Sequence, residues 1–492
     1  MPAILAIDQS TSATKASLFD PAGGVLDQAA RAHRQMYPQP GWVEHDAEEI
    51  WQNVLGVVRE LSLRNPGIFA QLAGLSITNQ RETVIVFDRQ TGQPLHPAMV
   101  WQCRRGEAVC QQLRAQGLAE SISRKTGLKI DTYFSGSKLK WLMAARPEIA
   151  ARLATGDACI GTVDAYLIYR LTQGEVLATD YTNASRTLLF DVGRLEWDDE
   201  LCAWFDVPRA ALPEVRESAA HYGATNVEGI IPRRIPIVGV MGDSQAALFA
   251  QQCFYPGMIK ATLGTGTSVL LNVGSQLPPA GPGAVTALAW VWRGQPTYAQ
   301  EGIINYSAAT LEWLQNQLGL LHDLSDVEAL AASVPDNAGV YLVPAFAGLS
   351  APYWSPDARA AIVGLTAHTR REHIVRAALE SIAYQIRDVL DLLRQEAGVE
   401  LKILRADGGP TRNQLLMQFI ADLAGVTIEV PEVAAASAWG AALNGWLALG
   451  RYGSLAELPA PLAAGKTFRP LMPPDLVAKN YAGWQAAVQR VL

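Results

Sequence analysis

The sequence predicts an α/β protein of two domains, and three observations carry that expectation. Short apolar runs of strand length alternate with amphipathic helical patterns along the chain. Two stretches roughly 250 residues apart, AIDQSTSATKASLF (6–19) and GMIKATLGTGTSVLLNV (257–273), share a strand, polar turn, strand design, which is the mark of a duplicated unit. A chain of 492 residues is also long enough for more than one core.

Residues 3–8 and 15–19 read as the strands of the first hairpin, with Pro21-Ala22-Gly23-Gly24 closing it. Asp46 and Glu49 form the pattern of a capping box ahead of Ile50, Val54, Val57, Val58 and Leu61 at helical spacing. Strands are expected at 75–78, 83–87, 235–240 and 341–343, and a long amphipathic helix over 371–394. The domain boundary is placed near 250, giving domains 1–250 and 251–450. The Pro- and Ala-rich stretch 451–492 is expected to pack back on the surface.

Composition narrows the function classes. Forty Lys and Arg against 47 Asp and Glu leave a net charge of −7, with no basic patch suited to nucleic acid. No apolar run reaches the ~18 residues of a membrane span. The opening MPAILAIDQS has no basic leader and reads as a strand, not a signal peptide. Five scattered cysteines without a CxxC pair suit a reducing, cytoplasmic setting. GxxxxGK[ST], GxGxxG after a strand and HExxH are all absent, which counts against a Walker-type ATPase, a dinucleotide enzyme and a zinc protease.

The hairpin turns carry the chemistry that remains. Asp8 ends a strand, Ser10, Thr11, Ser12 and Thr14 follow in the turn, and Lys15 adds a positive charge. Such a turn can cradle phosphate with N–H groups and hydroxyls, and Asp8 can hold Mg²⁺ through water. It can equally be an ordinary β-turn rich in turn formers. In the second hairpin Gly264 and Gly266 permit close approach, while Thr265 and Thr267 bring hydroxyls. Gly408-Gly409 stand before an amphipathic helix whose N-terminus suits a nucleotide. Finally, Asp243 follows the apolar run 237–241 and starts a helix, a slot whose commoner use is capping.

With these turns in order, the sequence resembles the FGGY carbohydrate kinases, and among them the glycerol kinases. The resemblance runs over nearly the whole chain through QPGWVEHDAEEIW, SITNQRETVIVFDRQTG, VWQCRR, TGLKIDTYFSGSKLKWL, TDYTNASRTLLFD, VPAFAGLSAPYWSPDARAAIVGLT and RAALESIAYQIRDVL. It implies a two-domain actin/hexokinase-like (ribonuclease H-like) fold, with a duplicated mixed sheet flanked by helices and a cleft between domains. It implies ATP with Mg²⁺ as cofactors, a polyol or sugar as substrate, and a homodimer or homotetramer.

Carried over residue by residue, the resemblance makes Asp243 the base that accepts the alcohol proton. Arg81, Glu82, Trp101 and Tyr133 become polyol-binding residues, with Asp243 itself. Thr11, Ser12, Ala13, Lys15, Thr265, Gly266, Ala308, Gly409 and Asn413 become nucleotide-binding residues, and Asp8 with Asp243 the metal site. Among the departures from the pattern, two fall in the polyol pocket: Ser244 stands where glutamine is usual and Ser268 where phenylalanine is usual. Shorter side chains there imply a roomier, more polar site. Glycerol and a four- or five-carbon polyol or a pentulose therefore both stand as substrates. A sugar sensor or an actin-like ATPase is the alternative from outside metabolism.

Overall fold

The computed structural model describes residues 2–355, 357–431, 435–459 and 465–492. Two large mixed sheets dominate, and their pairing repeats. In the first half, strand Ile4–Gln9 pairs antiparallel with Ala13–Phe19, which pairs antiparallel with Val25–Ala32. On its other side Ile4–Gln9 runs parallel to Gly74–Asn79, and that strand runs parallel to Ile235–Gly242. In the second half, Met258–Leu263 pairs antiparallel with Thr267–Gly274, which pairs antiparallel with Gln295–Ile304. Met258–Leu263 also runs parallel to Ile403–Asp407, which runs parallel to Thr427–Val430. In both halves one central strand joins an antiparallel meander on one side to parallel pairing on the other, the duplication that the two turns predict.

Local chemistry explains the elements. Ile4, Leu5, Ala6 and Ile7 are all fully buried, as expected of a central strand covered on both faces. The helix Ala47–Arg64 is capped by Asp46, whose carboxylate accepts from the N–H groups of Glu48 and Glu49. The reciprocal arm of the expected capping box is missing, because Glu49 pairs outward with Arg34. The amphipathic run extends slightly further than expected, as helix Arg371–Ala397 ending on Gly398 in the left-handed conformation. Its Asp388 carboxylate, buried, accepts from Tyr353, Tyr481 and the indole of Trp484, so the C-terminal helix Pro474–Val488 is tied into the second core.

One helix crosses between the repeats. Ala436–Ala448 belongs late in the chain, yet it packs on strands of the first sheet. Trp439 meets Phe19, and Gly445 lies so close to Ser76 and Ile4 that a Cβ would stand 2.5 Å from the serine hydroxyl. The five cysteines are free thiols, all buried. Among the described residues no helix is long and apolar enough to cross a membrane.

Candidate active site

Arg81 and Glu82 leave the end of strand Gly74–Asn79, but not as a solvated surface pair: both are buried. Glu82 sits at φ 61°, a left-handed conformation unusual for a side-chain-bearing residue. Three contacts hold it there. Thr83 N–H donates to Arg81 O at 2.7 Å, Ser135 Oγ donates to Glu82 O at 2.9 Å, and Arg186 Nε donates to Glu82 Oε1 at 2.6 Å. Backbone strain of this kind costs about 1–3 kcal/mol and persists where surroundings over-determine it.

The left-handed turn sends the two side chains into one buried ion network. Arg81 Nη2 donates to Glu301 Oε1 at 2.9 Å, and Arg186 Nη2 pairs with Glu301 Oε2 at 2.6 Å. Arg81 stands farther, 4.0 Å, from its own neighbour Glu82. Burial disfavours the ionised form of both acids. Two close arginines nevertheless hold Glu301 down at about 2, whereas burial prevails at Glu82 and raises it. Glu301 lies on Gln295–Ile304, so this network joins the two halves.

Asp243 opens onto that network. It is the first residue of helix Asp243–Ala250, with Gly242, which brings no side chain to cap the helix, in the cap position. The carboxylate is about one-third exposed, lies 3.4 Å from Arg81 Nε, and accepts from the Ser244 N–H at 2.6 Å. Gly242 is required here, because a Cβ would come within 2.8 Å of Arg81 Cγ. Arg81 is steadied further by Gln245, whose Oε1 accepts from Nη1. Ser268 Oγ donates to Glu301 Oε1 at 2.8 Å, and Ser244 Oγ has no hydrogen-bond partner among the described residues.

Trp101 and Tyr133 form an aromatic wall, with ring centroids 5.3 Å apart. The Tyr133 loop is pinned by Lys138, fully buried, which donates to the carbonyls of Thr132, Tyr133 and Phe134 at 2.8, 2.8 and 3.0 Å. Burial lowers the ammonium to about 8.

The turns differ from expectation in which hydroxyls they offer. Ser10 Oγ is spent on Ala13 O, Thr14 is buried in the strand, and Thr267 donates to Ser307. Thr11, Ser12 and Thr265 remain at least partly exposed at the turn tips, with Ala13, Gly266 and exposed Lys15 beside them. Asp8 is buried, and burial raises its carboxyl to about 6, with Lys15 lowering and Asp243 raising it further. Ala308 does not stand free: its N–H donates to Gly264 O at 3.0 Å.

Gly408-Gly409 do not open the helix directly. A 3₁₀ turn, Gly409–Arg412, intervenes, and Asn413 caps helix Gln414–Ala424 with its own side chain. Gly408 is at φ 100°, and a Cβ on it would stand 1.8 Å from Leu263 O, so this loop must lie against the second hairpin. Gly409 faces open space.

Two family models, the N- and C-terminal domains of the FGGY family of carbohydrate kinases, match residues 3–250 and 259–449. The chain belongs to that family. It is 46% identical over 487 residues to a glycerol kinase of Carboxydothermus hydrogenoformans, covering 99% of this chain and 97% of the relative. To glycerol kinase 1 of Thermotoga maritima it is 44% identical over 490 residues, covering 99% of each. Among solved structures, Plasmodium falciparum glycerol kinase with ADP superposes at a TM-score of 0.94 with 36% identity, covering 100% of this chain and 98% of that one.

In this FGGY kinase the sequence reading missed Arg186, Glu301, Gln245 and Lys138. Glu301 had a signal: a lone acid inside the apolar strand sequence YAQEGII needs a buried cation. Arg186 and Lys138 sit inside segments that were read only as family likeness.

Proposed function

We propose that the chain transfers the terminal phosphoryl group of ATP to a primary hydroxyl of glycerol. One observation carries the reading: a half-open carboxylate, Asp243, is oriented by Arg81 at 3.4 Å where the two repeats meet, with buried Asp8 among the charges around it. Asp243 accepts the hydroxyl proton as the oxygen attacks phosphorus. The Arg81 guanidinium and the Glu82 carboxylate offer donors and acceptors for the polyol hydroxyls, and the Trp101–Tyr133 wall faces its carbon edge. Thr11, Ser12, Ala13, Lys15, Thr265 and Gly266 surround the phosphates, Gly409 and Asn413 lie at the adenosine end, and Ala308 braces the second turn from behind.

Asp8 and Asp243 would hold Mg²⁺ through water. Mg²⁺ takes one or two carboxylates and completes its shell with water and phosphate, which suits two acids in mutual electrostatic contact. Among the described residues no group of three or more metal-ligating side chains stands together. When bound, the ion would neutralise phosphate charge.

Protonating Asp8 removes a metal ligand, so kcat/KM is expected to fall as the pH drops through about 6. Raising Mg²⁺ competes with the proton and should move that limb to lower pH; pH profiles at two Mg²⁺ concentrations check this, and an unmoved limb assigns it elsewhere. The sign for stability is opposite. A carboxyl raised in the folded state takes up its proton before the unfolded chain does. Asp8 alone therefore makes the metal-free protein more stable as pH falls from about 6 towards 4, by at most roughly 3 kcal/mol.

A second reading, a four- or five-carbon polyol or a pentulose, is favoured by Ser244, whose short hydroxyl is uncommitted beside Arg81 and Asp243. Initial rates of ADP release with glycerol, erythritol, ribitol and pentuloses separate the readings. The highest kcat/KM for glycerol is expected; a larger acceptor ahead of it selects the second reading, and turnover without acceptor overturns both.

A further inference from the structure

An anion-binding turn has to keep its carbonyl oxygens away from the anion. In the second hairpin the N-terminus of helix Ala308–Asn316 does this: Ala308 N–H donates to Gly264 O at 3.0 Å, and Ser307 and Ala309 N–H donate to Thr265 O at 2.8 and 3.2 Å. Among the described residues no helix N-terminus donates to the first hairpin's turn, yet its carbonyls are equally occupied. Ser10 O accepts from Gln9 Nε2 at 3.0 Å and Gln80 Nε2 at 3.3 Å. Thr11 O accepts from His33 Nε2–H at 2.8 Å, and Ser12 O from His33 N–H at 3.2 Å. The tips match in consequence. The backbone N–H groups of Thr11 and Ser12, like those of Thr265 and Gly266, make no hydrogen bond among the described residues.

From this correspondence we infer that His33 and Gln80 are positioning residues for the nucleotide phosphates, doing with side chains at the first turn what a helix N-terminus does at the second. The inference rests on the kinase reading above and goes beyond it, since neither side chain belongs to the proposed phosphate contacts. Both are held for the task. Gln80, buried, accepts from Thr83 Oγ1 at 2.9 Å, which fixes its amide with Nε2 toward Ser10 O. It also reaches His45 Nδ1 at 3.4 Å, and the His45 ring packs edge-on against His33 with centroids 4.7 Å apart. A carbonyl can only accept, so His33 carries its proton on Nε2.

The same bracing reaches the acceptor side. Trp101 Nε1–H donates to Thr11 Oγ1 at 3.0 Å, and Trp101 N–H is held by Thr83 Oγ1 at 3.2 Å. Because Thr11 Oγ1 accepts from the indole, its own hydroxyl proton is left to point at a phosphate oxygen. Gln80, Thr83, Trp101, Thr11 and the turn thus close a ring, and losing one member should loosen nucleotide binding before acceptor binding.

Steady-state constants of His33→Phe, which keeps the ring volume and removes the donor, test this. The KM for ATP is expected to rise about tenfold, the scale of one orienting hydrogen bond, while the KM for the acceptor at saturating ATP stays within threefold. His33→Gln, whose amide can reach Thr11 O, should recover most of the loss. An ATP KM within twofold of the parent in His33→Phe overturns the inference, and so does an equal rise in both constants with no rescue by glutamine. If His33→Phe does not fold, Gln80→Met is measured by the same criteria. A parent protein without ATP-dependent polyol phosphorylation sinks the kinase reading and this inference together. A parent that turns over normally beside an indifferent His33→Phe sinks only the inference.

Discussion

Asp243→Asn is expected to lower kcat about a thousandfold while leaving the fold and both KM values within a fewfold. The amide fills the same space and can still accept from Arg81 Nε and the Ser244 N–H, so the geometry around Arg81 survives. What it cannot do is take the acceptor's proton, and general-base loss of this kind costs roughly 10²–10⁴ in rate. The same change removes the negative charge that raises Asp8, so any acid limb belonging to Asp8 should move to lower pH in the variant. Single-turnover rates with calorimetric binding of nucleotide and polyol separate chemistry from binding. A kcat within tenfold of the parent removes Asp243 from the base role and leaves the proposed mechanism without its central group.

Glu301→Gln is expected to damage stability more than any single change in the polyol wall. Glu301 is the acid that Arg81 and Arg186 share, and all three are buried. Breaking a buried ion network leaves uncompensated guanidinium charge, at a cost of about 3 kcal/mol or more. Denaturant titration reads this directly. The pH dependence has a definite sign. A carboxyl held below its unfolded value contributes stability that is complete above about pH 4.5 and is lost as pH falls towards 2. The glutamine variant should lack that acid-dependent component. Acceptor KM should rise with it, because Arg81 loses its firmest anchor and Ser268 loses its partner. Unchanged stability and acceptor KM together would show that the arginines find other partners and that Glu301 does not organise the site.

Much of the architecture was legible because the chain repeats itself. Two glycine- or hydroxyl-rich turns between apolar strands marked the hairpins, and register bore out both. The misreadings have a common cause: sequence shows which groups a turn contains but not which way they face. Ser10 and Thr267 belong to the hydroxyls that could cradle phosphate but bond inside the protein, and Thr14 is buried in the strand. Arg81 and Glu82 are neighbours in sequence, yet the left-handed backbone at Glu82 gives them different principal partners, Glu301 and Arg186. Those partners lie 220 and 104 positions away, a separation no local pattern encodes. The family likeness supplied candidate roles; the buried ions that position them came only from the fold.

The helix Ala436–Ala448 also decides how the protein must be made. It covers Phe19 and packs against Ile4, residues that leave the ribosome long before the helix does. While the residues between them are being made, the first sheet is therefore an oily half-sandwich with one slice missing. A nascent chain in that condition invites capture by holdase chaperones and misassociation between neighbouring polysomes. Severing the gene into two separately expressed halves would make that temporary exposure permanent.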